Sequence, residues 1–132
     1  VAVNEATNYL TKLDEQFGGS PKEVPNIYFK HSMYSKTVKD GGNAVFLIDT
    51  PIRIYSDPDI DWHLKERQTD FYDINALDQT AMINELRISG NENAEFINAL
   101  GKGYRLSGMR HPHSWSIAEP NGLMDWIIEK LK

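Results

Sequence analysis

The sequence predicts an α/β fold, and three stretches predict it. Ile52 to Ser56 is rich in strand formers and runs into a turn at Asp57-Pro58-Asp59. Ala81, Met82, Ile83, Leu86 and Ile88 place apolar residues at helical spacing behind Asp78, a candidate N-cap. Asn93 to Leu100 is a second apolar run of strand length. Strand, helix, strand over this distance is a βαβ unit, so the two strands should lie parallel, joined by the helix.

The totals are those of one globular domain. The chain has 132 residues, 40% of them hydrophobic and 25% charged. Nineteen acidic residues against fourteen basic ones give a formal charge of −5. That balance argues against nucleic acid or an anionic membrane as partner, since either calls for a basic stripe. The absence of cysteine excludes disulfides, a thiol nucleophile and thiolate metal sites. No apolar run is long enough to span a membrane. The opening Val-Ala-Val-Asn-Glu-Ala does not read as a signal peptide, and the compartment is left unassigned for an expected soluble chain.

Two parts are expected within the one domain, a helical, lid-like segment with its loop over residues 1–43 and a βαβ-α core over 44–132. Val1 to Phe17 is helical by the spacing of Ala6, Tyr9, Leu10, Leu13 and Phe17, and Gly18-Gly19 stops it. Ser20-Pro21-Lys22-Glu23 has the form of a capping box opening a short helix, cut off by Pro25. Ser32 to Asn43 reads as a polar surface loop, and Ala44 to Ile48 as a short strand or a last helical turn. The strand at Ile52 follows. Leu64 to Thr80 begins charged and irregular, the crossover helix comes next, and Gly90 is its stop signal. Gly101-Lys102-Gly103 is a turn without the frame of a phosphate loop. Tyr104 to Pro112 is a loop. The last helix starts near Pro120, with Leu123, Trp126, Ile127 and Leu131 as its buried stripe.

The chemistry-bearing residues gather at one predicted place. Asp59 ends the first strand, and His113 stands in the loop after the second. In a βαβ unit both positions fall on the same rim of the sheet, where open α/β sheets bind ligands. A carboxylate that orients a histidine, which then serves as general base, is the supporting half of a nucleophile–His–acid triad. Asp61 is the alternative acid, while Asp57 reads as a surface or cap residue. His31 and His63 are expected to be exposed. Metal chemistry fits poorly. His111-x-His113 supplies only two ligands, and Asp57-x-Asp59-x-Asp61 fails as a calcium loop at Trp62 and Gln68. No metal or cofactor is expected. Trp62, Phe71, Tyr72 and Trp115 suit either a pocket wall or plain core.

Ser56-Asp57-Pro58-Asp59, the crossover helix, the second strand and His113-Ser114-Trp115 ahead of the final helix resemble, in order, the C-terminal half of an α/β-hydrolase. The family's acid follows a strand as Gly-x-x-Asp, matched here with Ser56 in place of Gly, and its histidine often stands as His-x-Trp. The Phe17 to Pro25 run also looks like the stretch that esterase-type members carry after the preceding strand. The resemblance implies a serine hydrolase of carboxylic esters, with Asp59 as acid and His113 as base. It departs from the family at the nucleophile, because no Gly-x-Ser-x-Gly elbow is present. The chain alone is therefore expected to be inactive.

Two strands do not complete a doubly wound sheet, so the fold is expected to be incomplete by itself. The implied partners are a small-molecule ester, together with a missing N-terminal half or another chain that completes the sheet. Oligomerisation through an exposed sheet edge belongs to the same expectation. The other function considered is a non-catalytic binding module that pairs through that edge.

Overall fold

The computed structural model describes the backbone of residues 2–132 and the side chains of residues 9–132. Val1 and the Ala6 side chain, both named in the helical reading of the N-terminus, lie outside the described residues.

The parallel pair forms as expected. Strand β1 (Ile52–Ser56) lies beside β2 (Ala94–Asn98), with Ile54 opposite Phe96 and Ser56 opposite Asn98. Helix α4 (Ala76–Ile88) makes the crossover. It starts two residues before Asp78, so Asp78 stands in the first turn rather than at the cap, where its charge faces the positive end of the helix dipole. Gly90, at φ 104°, ends it.

The period-two alternation of the strands builds two different faces. Ile52, Ile54, Ala94 and Phe96 pack against Met82, Ile83 and Leu86 of α4 and against Ala44. The opposite face carries Arg53 and Glu95. Their side chains meet at 2.6 Å, and Trp126 of α5 (Pro120–Lys130) donates its indole N–H to Glu95 at 3.1 Å. Arg53 also lies over the Trp126 ring at 4.8 Å, and Lys130 reaches Asn93 at 2.8 Å. The layers are therefore helix, sheet, helix, and the chain is of the α/β class with mixed helices and a two-stranded parallel sheet. The second helix docks by polar and cation–π contacts rather than by the expected buried stripe. Leu123, Trp126 and Ile127 are half-buried, and Leu131 is exposed just past the last turn.

The first third differs in detail from its expectation. Helix α1 (Ala2–Phe17) is followed not by a helix at Ser20 but by a turn. Glu23 does fold back on Ser20, accepting from its N–H at 2.8 Å and its hydroxyl at 2.7 Å. The helix then begins at Pro25, as α2 (Pro25–His31). Proline lacks an N–H and suits a first helical position, so it opens this helix instead of closing one. Phe17 packs edge-on to Tyr28 at 4.9 Å and stacks on His31 at 5.1 Å. Tyr28 donates to Asp14 at 2.6 Å, and burial together with that carboxylate pushes its phenol pKa up to about 12.

Residues Lys39–Leu47 form 3-10 turns broken at Asp40, Gly41 and Gly42, all with positive φ. Of the two forms expected for Ala44 to Ile48, the helical turn is the one present. Asn43 ties this segment to the end of α2 by donating to the carbonyls of Lys30 and Ser32. Asn91, buried after α4, holds its other end, donating to Leu47 and Thr50 and accepting from the Asn93 N–H. Among the described residues, no helix is long and apolar enough to cross a membrane.

Candidate functional site

The C-terminal ends of β1 and β2 open onto one rim, and a carboxylate sits at its centre. Asp57 follows β1 directly and is only 4% exposed. A carboxylate buried there needs its lone pairs filled. Its Oδ1 accepts from the Gly101 N–H at 3.0 Å and from Arg110 at 2.8 Å, its Oδ2 accepts from the Gly103 N–H at 2.7 Å, and a second Arg110 nitrogen stands in ion-pair contact with Oδ2 at 2.7 Å. Three hydrogen bonds and the ion pair take up most of the capacity of a carboxylate, which has about four acceptor sites. Burial by itself would raise the pKa of Asp57, but the bonds from Arg110, Gly103 and Gly101 outweigh it and hold the group below the ordinary aspartate range.

Asp59, two residues on, has a different task. Its Oδ1 accepts from the Trp62 N–H at 2.9 Å and so caps α3 (Ile60–Trp62). Its Oδ2 takes a second bond from Arg110, at 2.6 Å. Arg110 thus clamps two carboxylates at once. It also donates to the Gly103 carbonyl at 2.8 Å and lies over the Tyr104 ring at 5.6 Å. The planar fork of a guanidinium is suited to this, as a lysine is not.

The clamp shapes the loop that carries the histidine. The Gly103 carbonyl accepts from the His111 N–H at 2.9 Å, and Tyr104 bridges Arg110 in antiparallel fashion. A Cβ on Gly103 would stand 2.5 Å from the His111 carbonyl and 2.8 Å from Pro112, which is why a glycine occupies the position. Ser116 pins the loop from outside, accepting from the Tyr104 N–H and donating to a neighbouring carbonyl, with Lys102 and Tyr104 both in reach.

Three imidazoles meet beside this clamp. The His113 ring lies 5.7 Å from that of His63 and 6.1 Å from that of His111, and Trp62 packs edge-on to both His63 and His111. His63 was expected to be exposed and is only 7% exposed. The turn that carries it, His63–Arg67, continues α3 with a wider π-helical spacing, and the His63 ring is buried beside Trp62 and His113. Nε2 of His63 and Nδ1 of His111 are buried without a hydrogen-bond partner. Burial lowers the pKa of His63, with His113 and Arg67 adding to the effect against Asp59 and Asp57. Burial also lowers that of His111, with Arg105, Arg67 and His113 in the same sense. Arg67 approaches Nε2 of His111 at 3.3 Å. A guanidinium can only donate, so that nitrogen accepts and the ring is neutral.

His113 itself is exposed and lines a cavity of about 550 Å³ together with Ser56, Asp57, Gln79 and Trp115. Asp59 lines a different cavity with Trp62, Lys65 and His111. Among the described residues no hydrogen bond joins Asp59 to His113, because Asp59 is turned to the α3 cap and to Arg110. Asp61 is exposed. Of the four aromatics expected at a pocket or in the core, Trp62 packs on the histidines and Trp115, largely exposed, lines the cavity that His113 borders. Phe71 and Tyr72 lie on the surface. Among the described residues no three His, Asp or Glu side chains converge to hold a metal ion.

Asp57 and Arg110 are the members of this site that motif reading misses. Asp57 was read as a surface or cap residue, yet it is the buried anchor of the rim. Two carboxylates at a strand end call for a cation, and Arg110, three residues before His113, was the available signal. Comparison with family models, curated proteins and solved structures finds no match for this chain.

Proposed function

We propose that this chain is the acid-and-histidine portion of a serine hydrolase of the α/β-hydrolase type, acting on carboxylic esters. The observation that supports this reading is the shared cavity at the C-terminal rim, where His113 faces the carboxylate-bearing end of β1. Asp57 is engaged by three hydrogen bonds and the Arg110 ion pair, and its side chain is fully buried. Asp59 accepts only two bonds and so keeps acceptor capacity, but it lines a separate cavity and would orient His113 only once its side chain turned from the α3 cap. His113 would take the proton of a serine hydroxyl as its oxygen attacks the ester carbonyl, then return that proton to the departing alcohol. Water, activated in the same way, would release the acid. The serine and the oxyanion donors would come from a segment outside these residues, which would also complete the sheet.

The open side of β1 accords with such a segment. Ile52 and Ser56 direct their backbone groups to β2, so by alternation Arg53 and Tyr55 direct theirs away from it. The same edge favours the second reading, a binding module that takes a strand from a partner.

The test is fluorophosphonate labelling of the native polypeptide that carries this sequence, recovered with an antibody to residues 9–132. The expected result is a labelled serine and hydrolysis of p-nitrophenyl acetate that falls by about 10²–10⁴-fold in H113A and in D59N. The isolated chain should hydrolyse nothing. A native polypeptide that takes no probe and cleaves no ester would end the esterase reading and leave the binding module.

A further inference from the structure

The cavity beside His113 carries polar groups that the triad does not use. Ser56 and Ser114 both line it and are only 9% and 8% exposed. By strand alternation the Ser56 side chain lies on the same face of the sheet as Ile54, toward α4, whose first residue Ala76 lines the cavity too. Among the described residues neither serine hydroxyl has a hydrogen-bond partner in the chain, and neither oxygen is sealed from solvent. Hydroxyls this deep in a native protein normally have a partner, from the chain, from water or from a ligand. Asn75, at the head of α4, adds a side-chain amide that caps nothing. Trp115 borders the same space with 65% of its surface exposed. Among the described residues no lysine or arginine lines the cavity, and Asp57, its buried carboxylate, is already engaged by Arg110. An anion would find no cation there, and a cation no free carboxylate.

We propose that this cavity binds a neutral sugar, a pyranose ring whose hydroxyls bond to Ser56 and Ser114 and whose C–H face lies on Trp115. A sugar hydroxyl both donates and accepts, as a serine hydroxyl does, so the two can pair in either sense. The faces of an indole are electron-rich and attract the weakly positive C–H groups of such a ring. At about 550 Å³ the space lies within the usual range of small-molecule pockets. Every residue invoked belongs to this chain, so binding itself calls for no further segment. The consequence for the substrate rests on the esterase reading: the ester would be one carried by a sugar, with its carbonyl beside His113.

The experiment titrates the ¹⁵N-labelled chain with the methyl β-pyranosides of glucose, galactose and xylose, and with tetrahydropyran, the same ring without its hydroxyls. Binding is followed through the amide resonances of Ser56, Ala76 and Ser114 and the indole N–H of Trp115. At least one pyranoside should bind saturably there, about 5–150-fold more tightly than tetrahydropyran, the range that two net hydrogen bonds supply. S56A and S114A should each weaken that pyranoside by about 2–12-fold and leave tetrahydropyran as before. W115A should weaken both ligands. Methyl β-D-glucuronide, which carries a carboxylate, should bind no more tightly than the glucoside. No saturable shift with any pyranoside, equal binding of tetrahydropyran, or tighter binding of the glucuronide would overturn the proposal. So would pyranoside binding that is unchanged in both serine variants or in W115A. Water as the only occupant gives the first of these results. The wild-type comparison decides by itself should a variant fail to fold. A chain that binds a pyranoside while its native polypeptide cleaves no ester keeps this site and loses the esterase reading. The converse result loses this site alone.

Discussion

Replacing Arg110 by methionine tests the clamp at the centre of the rim. The change keeps an unbranched apolar stem and removes the guanidinium with its charge and donors. Asp57 loses contacts at 2.7 and 2.8 Å, Asp59 loses one at 2.6 Å, and the Gly103 carbonyl loses its donor. Stranding one member of a buried ion pair costs about 3–5 kcal/mol. Two features pull the figure down. The Asp57 carboxylate keeps the Gly101 and Gly103 N–H groups, and the side chains of Arg110 and Asp59 are 20% and 24% exposed, so water screens part of the interaction. The expected loss is therefore about 3 kcal/mol, at the low end of that range. Urea unfolding followed by far-UV circular dichroism at pH 7 measures it, in R110M, D57N and the double variant. The double variant should lose less than the sum, with a coupling of about 1–3 kcal/mol. There is also a pH arm. Asp57 has a lowered folded pKa, so its stabilisation is present above the unfolded value of about 3.9 and is lost as pH falls through the folded one. In R110M burial acts with less opposition, and acid unfolding should begin at a higher pH. A loss in R110M below about 1 kcal/mol, with additive variants, would refute the clamp.

The neutral histidines predict a second pH effect. His63 and His111 have lowered folded pKa values, so the unfolded chain binds more protons below about pH 6.5 and stability should fall as pH drops from 7 to 5. H63Q should flatten that slope in urea melts taken at each pH, and an unchanged slope would count against the buried placement of His63. Asn91→Ala leaves the Leu47 and Thr50 carbonyls and the Asn93 N–H without their side-chain partner and should cost about 2–3 kcal/mol by the same unfolding assay. Gly103→Ala forces a Cβ onto the His111 carbonyl and should shift the amide resonances of residues 101–113 while leaving those of α1 in place. A spectrum of G103A that matches wild type would show that the loop has room.

Local pattern was enough for the central elements. The strand formers from Ile52 to Ser56, the apolar spacing around Met82, Ile83 and Leu86, and the glycine at 90 specify strand, helix and stop within a few residues of themselves. A parallel pairing follows once a helix separates the strands. The rim was legible as a place, since β1 ends at Asp57 and the histidine loop follows β2. The roles within it were less so. Asp57 and Asp59 look alike in a turn, and it is the approach of Arg110 and of the Gly101 and Gly103 N–H groups, more than forty residues later in the chain, that makes Asp57 the buried anchor, while Asp59 caps α3 through the nearby Trp62 N–H.

Sequence by itself thus determined the α/β class, the order of its core elements and the end of the sheet where polar groups collect, because each rests on hydrophobic period and turn chemistry over short spans. Tertiary structure alone decided that Pro25 opens a helix, that His63 is buried beside Trp62, that α5 docks through Arg53, Glu95 and Trp126, and that Asp57 is the buried carboxylate of the rim. Those outcomes depend on which distant side chains come within a few ångströms, and burial, pairing and desolvation act only once the chain has brought them there.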